Sequence, residues 1–221
     1  MGQEKELIVR IPLGSMMLEG ILTIPARAKG LVIFAHGSGS SRKSPRNNYV
    51  ARELRSKGIG TLLFDLLSEE EDYVYENRFN IPLLAERLVS ATRWLIAQPE
   101  AKNLAIGYFG SSTGSAAALI AASELGSMIR AVVSRGGRPD MAMSVLGRIK
   151  APTLLIVGGN DGVVIELNKH AYYNLKCEKE MEIIPGATHL FEEPGTLEEV
   201  AQLAARWFRK NLKTSKRPIP G

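Results

Sequence analysis

Short, almost unbroken apolar runs recur along the chain. Leu31–Ala35 is the clearest, and Thr61–Phe64, Leu104–Phe109, Ala131–Val133 and Thr153–Val157 repeat its character. Such runs mark strands buried on both faces, as in parallel sheets. Met181–Ile184 reads as a weaker last strand. Ahead of them, Leu7–Ile11 and Met17–Ile24 are rich in β-formers and flank Pro12-Leu13-Gly14-Ser15, which predicts an opening antiparallel pair.

Between the runs the period changes. Ile81, Leu84, Ala85, Leu88, Thr92 and Leu95 follow the i, i+3, i+4 rhythm, so Ile81–Ala97 is predicted as an amphipathic helix, with Pro82 at its start and Pro99 beyond its end. Ser115–Leu125 is Ala-rich and nearly uncharged, the pattern of a helix buried all round. Asn48–Lys57, Val164–Leu175 and Thr196–Leu212 complete the predicted helices. Leu66–Asn80, with the acidic run Glu69–Asp72, is expected to be irregular: a solvated loop, or a functional one beyond a strand end.

Strands alternating with helices predict an α/β fold, a mostly parallel sheet of about eight strands flanked by helices. No repeat, low-complexity stretch or linker interrupts the pattern. Residues 1–212 are therefore expected to form a single domain without a cap domain, and 213–221 a disordered basic tail.

Composition narrows the function classes. With 221 residues, 45% hydrophobic and 23% charged, the chain can bury a core and is not disordered in the main. Its one cysteine, Cys177, excludes an intrachain disulfide and a thiolate-cluster metal site. A net charge of +5 and a pI near 9.3 would suit an anionic partner. Part of that excess sits in Lys210, Lys213, Lys216 and Arg217, with no aromatic residue interleaved, so nucleic acid is not expected as a partner. Met1–Glu6 is charged and unlike a secretory signal, and Gly2 lacks the Ser or Thr at position 6 that myristoylation wants. No apolar run approaches the roughly 18 residues of a membrane span. These features lead us to expect a cytoplasmic protein with no membrane partner.

The chemistry begins at Gly110-Ser111-Ser112-Thr113-Gly114, a G-x-S-x-G pattern between an apolar strand and an Ala-rich helix. A strand turning sharply into a helix puts the serine at the apex and aims the helix N-terminus, with its free N–H groups, at the site. A serine hydroxyl needs a base to take its proton. His189, after the last strand and the Pro185-Gly186 turn, falls at the same sheet edge. Asp161, directly after Thr153–Val157, falls there too and suits the acid that fixes a histidine's tautomer, although a turn or helix cap would also use it. His36-Gly37-Ser38-Gly39 follows Leu31–Ala35 and could turn another N–H toward an oxyanion; a phosphate loop is the alternative, but G-x-x-x-x-G-K-[ST] is absent.

The order Ser112, Asp161, His189, each after a strand, resembles the α/β-hydrolase superfamily, and the compact, cap-less length resembles its dienelactone hydrolase-like branch. The resemblance covers about Gly30 to Leu212. The namesake enzymes carry cysteine where this chain has Ser112, which points to a serine esterase-type relative rather than to dienelactone itself as substrate. It implies Ser112 as nucleophile, His189 as base, Asp161 as its orienting acid, and the backbone N–H groups of Ser38 and Thr113 as oxyanion donors. It implies a small acyl compound and water as reactants and calls for no metal or organic cofactor. Acyl transfer or thioester cleavage would use the same groups, and a non-catalytic binding protein is possible on the same fold.

Other residues are weighed against this reading. His36 is expected to be structural, His170 a helix residue, and Cys177 incidental. Asp140 is an alternative acid. Arg42, Lys43, Arg46, Arg135 and Arg138 gather near strand ends. Arg135 is the candidate for binding a substrate carboxylate, with salt bridging to Asp140 or the acidic run as the competing expectation for these cations.

Overall fold

The computed structural model describes residues 5–213. The expected tail at 213–221 thus lies almost wholly outside the described residues. The chain opens on the hairpin β1 (Lys5–Leu13) and β2 (Met16–Ile24) and continues through β3 (Gly30–Ala35), α1 (Pro45–Ser56), β4 (Gly60–Phe64), α2 (Glu69–Tyr73), α3 (Ile81–Ala97) and β5 (Ala105–Ser111). Then follow α4 (Thr113–Leu125), β6 (Ile129–Arg135), β7 (Thr153–Gly158), α5 (Gly162–Asn174), β8 (Lys179–Ile184) and α6 (Thr196–Asn211). Between β6 and β7, Pro139–Arg148 winds as 3-10 turns that the sequence pattern did not suggest.

The strands form one sheet in the order β1-β2-β4-β3-β5-β6-β7-β8. β2 pairs antiparallel with β1 and β4, and every pair from β4 through β8 is parallel. Successive residues of β3 feed opposite layers, because strand side chains alternate. Leu31 and Ile33 join α3 and α4 in one core, while Val32 and Phe34 join α1 and α6 in the other. Both faces are thus covered, which is why the central strands read as continuous apolar runs. α4 lacks a polar face and is buried among the sheet, α3 and the 139–148 turns.

One expectation fails here. Residues 66–80 are not irregular: α2 is closed by a capping box in which Ser68 accepts from the Glu71 N–H and Glu71 accepts from the Ser68 N–H, and Tyr75–Phe79 forms a 3-10 turn. Two members of the acidic run are paired locally, Glu71 with Arg87 at 2.6 Å and Asp72 with Arg78 at 2.9 Å. A helix with no buried residue has no hydrophobic rhythm to betray it.

The chain leaves β3 for β4 on one side of the sheet and returns to β5 on the other, so β3 and β5 flank the point where the winding reverses. Crevices for ligands open at the carboxyl ends of strands at such a point.

Candidate active site

Ser112 stands at that edge with φ 50° and ψ −124°, a strained region for any residue with a side chain. The flanking glycines are obligatory. A Cβ on Gly114 would lie 2.2 Å from the Ala35 carbonyl oxygen, and one on Gly110 would lie 2.4 Å from Ser115 Cα. Without side chains there, α4 can start against the end of β3 and the hydroxyl of Ser112 can crown the turn. The Ser112 N–H donates to the Arg135 carbonyl at 3.2 Å, and its own carbonyl accepts from the Ser115 hydroxyl at 2.7 Å. Thr113 is the first residue of α4, where an N–H has no intrahelical acceptor.

His189 and Asp161 meet: His189 Nδ1 is 2.6 Å from Asp161 Oδ2. A carboxylate can only accept, so Nδ1 carries the proton and Nε2 presents a lone pair. Asp161 occupies the N-cap position of α5, yet its side chain caps nothing and turns to the histidine instead. Two contacts staple the loops that carry this pair. The Asn160 N–H donates to the Ala187 carbonyl at 2.9 Å, and Asn160 Nδ2 donates to the Gly186 carbonyl at 2.9 Å. Gly158 allows the approach, since a Cβ there would meet the Ala187 and Thr188 carbonyl oxygens at 2.5 and 2.6 Å.

A cavity of about 220 Å³ opens above these groups, lined by Gly37, Ser38, Ser112, Arg135, His189, Leu190 and other residues. The Ser38 N–H faces Thr113 and donates to its Oγ1 at 3.0 Å, so this expected oxyanion donor already has an acceptor. An incoming oxygen must share or displace that bond.

The remaining candidates separate cleanly. His36 is structural: Nε2 accepts from the Leu66 N–H at 3.0 Å, Nδ1 donates to the Gly37 carbonyl at 3.0 Å, and burial holds its pKa below the usual histidine range. Asp140 pairs with Arg138 at 2.8 Å and not with His189. Arg42 pairs with Asp65 and Glu19, and Arg46 with Glu192 at 2.8 Å. His170 is exposed on α5. Cys177 lies 3.7 Å from Thr153 Oγ1, with its thiol pKa raised by burial. Arg135 follows neither expectation fully: it lines the cavity but is bridged neither to Asp140 nor to the acidic run. Ser40, in the loop after β3, lines the cavity as well, together with Asn47 and Ser44, which sequence reasoning did not single out. The pair Ser44-Pro45, a capping residue before a proline, marks the start of α1 and would have placed them at the strand ends.

The fold is that of the α/β-hydrolases. Residues 28–208 match the family described as alpha/beta hydrolase domain, and the chain belongs to that family. It is similar to the dienelactone hydrolase of Anabaena variabilis, with 54% identity and a TM-score of 0.93 over 96% of this chain and 100% of that one. Est1E from Butyrivibrio proteoclasticus shares the fold at 15% identity, with a TM-score of 0.79 over 92% of this chain and 98% of that one. A Mycobacterium tuberculosis protein provisionally named phosphoribosyl transferase is 54% identical over 204 residues, 92% of this chain but 46% of that protein. The chain thus spans about half the length of that curated relative. Among the described residues, no helix is long and apolar enough to cross a membrane.

Proposed function

We propose that this α/β-hydrolase is a serine hydrolase that cleaves a small carboxylic ester or lactone through an acyl-serine intermediate. The observation that carries the reading is the convergence on one cavity of a strained elbow serine, Ser112, and a histidine, His189, whose Nδ1 is held 2.6 Å from Asp161.

In this scheme Ser112 Oγ attacks the acyl carbon while its proton passes to His189 Nε2. Negative charge gathers on the former carbonyl oxygen, within reach of the Thr113 and Ser38 N–H groups. Collapse breaks the bond to the alcohol oxygen, which leaves with the proton from His189. Water then attacks the acyl-serine, giving its proton to His189, and release of the acid restores Ser112. Asp161 stays ionised and stabilises the imidazolium. No step calls for a metal or cofactor.

Thioester cleavage and acyl transfer need the same groups, and a panel of acyl donors and acceptors separates them. The transferase name belongs to a protein about twice as long, and we propose only the acyl chemistry for this chain. Turnover of p-nitrophenyl acetate and butyrate tests the reading. The native chain is expected to hydrolyse at least one of them, and folded Ser112→Ala should lose about a thousandfold or more in kcat. Equal turnover by the two proteins would refute it.

A further inference from the structure

The sheet ends on one side at β1, a strand of nine residues that pairs with β2 in unbroken register from Lys5 to Leu13. A free edge of that length offers a row of unpaired N–H and C=O groups to another chain. β2 fixes which groups face outward. The Glu19 carbonyl accepts from the Asp65 N–H at 3.0 Å, on the β4 side, so the backbone groups of Glu19 turn away from β1. Arg10 stands opposite Glu19 in a non-hydrogen-bonded pair, which leaves the N–H and C=O of Arg10 on the free side. The pattern repeats at alternate residues, so Glu6 and Ile8 also direct their backbone groups outward. Pro12 shares their parity, and an edge strand tolerates a proline whose nitrogen faces solvent.

The side chains of Glu6, Ile8 and Arg10 share one face of the strand. Glu6 and Arg10 are exposed, and Ile8 between them is 84% exposed. Leu7, Val9 and Ile11 point the other way and pack on the core that α3 covers. One exposed isoleucine means little by itself. Its place midway between opposite charges matters more. Glu6 and Arg10 lie two residues to either side of Ile8, and Glu19, across from Arg10, is taken by Arg42.

That pattern is complementary to its own reverse. Two β1 strands laid antiparallel about a twofold axis at Ile8 set Ile8 against Ile8 of the partner subunit. Glu6 of each chain then faces Arg10 of the partner subunit. All three pairs use the outward backbone groups, and each exchanges two N–H···O=C bonds. Cross-strand pairs of apolar residues and of opposite charges are the favourable ones. The opposite edge of the sheet lacks this property. β8 exposes Glu180 and Glu182, so the same reversal about Met181 sets carboxylate against carboxylate.

We propose that β1 is an interface between two copies of this chain, paired antiparallel about Ile8 so that their sheets join into one, with Glu6 and Arg10 fixing the register. The contact is isologous and closes at two copies. A foreign strand would have to carry the same charges in reverse order, which a second copy does by symmetry. None of these residues lines the cavity of Ser112 and His189, so the interface and the acyl-serine reading stand or fall separately.

Sedimentation velocity across a dilution series tests the interface. A single strand pair is a small contact, so the native chain should be dimeric at the upper end of the series and dissociate on dilution. Ile8→Lys sets like charges together at the axis while altering a side chain that is open to water in the single chain. It should raise the dimer Kd about tenfold or more with the circular dichroism spectrum and Tm retained. Glu6→Arg and Arg10→Glu should each weaken self-association by a similar factor, and the double reversal should restore it. Mixed together, the two single variants should associate with each other more tightly than either does with itself, because each meets the opposite charge. A chain that stays monomeric throughout would leave the edge to some other partner and overturn the proposal. A dimer whose Kd is unchanged by Ile8→Lys lies on another surface and would overturn it too. A dimer lost in Ile8→Lys but not restored by the double reversal would overturn the antiparallel register.

Discussion

The backbone N–H of Ser38 donates to the hydroxyl oxygen of Thr113 at 3.0 Å, joining the loop after β3 to the first residue of α4. Both residues belong to the proposed oxyanion site, so this bond sets the loop position before substrate arrives. Thr113→Val removes the acceptor and leaves the helix start intact. We expect kcat/KM for a p-nitrophenyl ester to fall about tenfold or more, short of the hundredfold typical of deleting a donor outright. Thr113→Ser should restore it. Full activity in Thr113→Val would separate the contact from catalysis.

In the proposed mechanism Asp161 acts on His189 by fixing its tautomer through the 2.6 Å contact with Nδ1. In Asp161→Asn the amide can donate to Nδ1, moving the proton to Nε2, where it blocks acceptance from Ser112. The expected loss in kcat is about a thousand- to ten-thousandfold with the fold retained. Steady-state kinetics alongside a circular dichroism spectrum would reveal it; a loss of only a few-fold would argue that Asp161 is a cap or turn residue after all.

Gly158 tests how tightly the pair depends on loop approach. An alanine there would press its Cβ to 2.5 Å from the Ala187 carbonyl oxygen, so the loop bearing His189 must move away from β7. A displacement of an ångström in a reacting group costs on the order of a hundredfold in rate, whereas the packing strain costs about 1–3 kcal/mol of stability. Gly158→Ala should therefore still fold while losing most of its activity. Retained activity would show that the loops have another way to close.

His36 gives a stability signature in acid. Its ring must stay neutral to accept from the Leu66 N–H, and burial lowers its pKa in the folded chain. Below the ordinary value of about 6.5 the unfolded chain therefore binds the proton more readily, and stability is lost as pH falls. This contribution is fully present above about pH 6.5 and is lost by at most about 1.4 kcal/mol per pH unit below it. His36→Gln keeps an acceptor and removes the titration. The gap in Tm between the native chain and the variant should change between pH 7.5 and 5, in favour of the variant in acid. A constant gap would contradict this account.

Much of the site was legible because its signals are local. G-x-S-x-G needs only a strand before it and a helix after it, and the clash that a Cβ would cause at Gly110 lies within those few residues, whereas the one at Gly114 is with the end of β3. His189 and Asp161 could be assigned to one sheet edge from strand order alone. The buried contacts of Asn47 Oδ1 with the Ser111 hydroxyl at 3.0 Å and with Arg135 Nη2 at 3.5 Å were not legible, because those partners lie 64 and 88 residues from Asn47 and meet it only through the pairing of β5 with β6 and the docking of α1. The helix expected from Asn48 in fact begins at Pro45, so Asn47 was left outside it. Arg135 could be seen as a cation at a strand end, but its lack of a counter-ion among the described residues is a property of packing that no pattern of residue types contains.

The central claim is that Ser112 is an activated nucleophile. Its most direct test is reaction of the folded protein with a fluorophosphonate, followed by mass spectrometry of the peptides. We predict a single adduct on the peptide bearing Ser112, absent in Ser112→Ala and strongly reduced in His189→Ala. A folded protein that stays unlabelled, or one labelled elsewhere, would contradict the account.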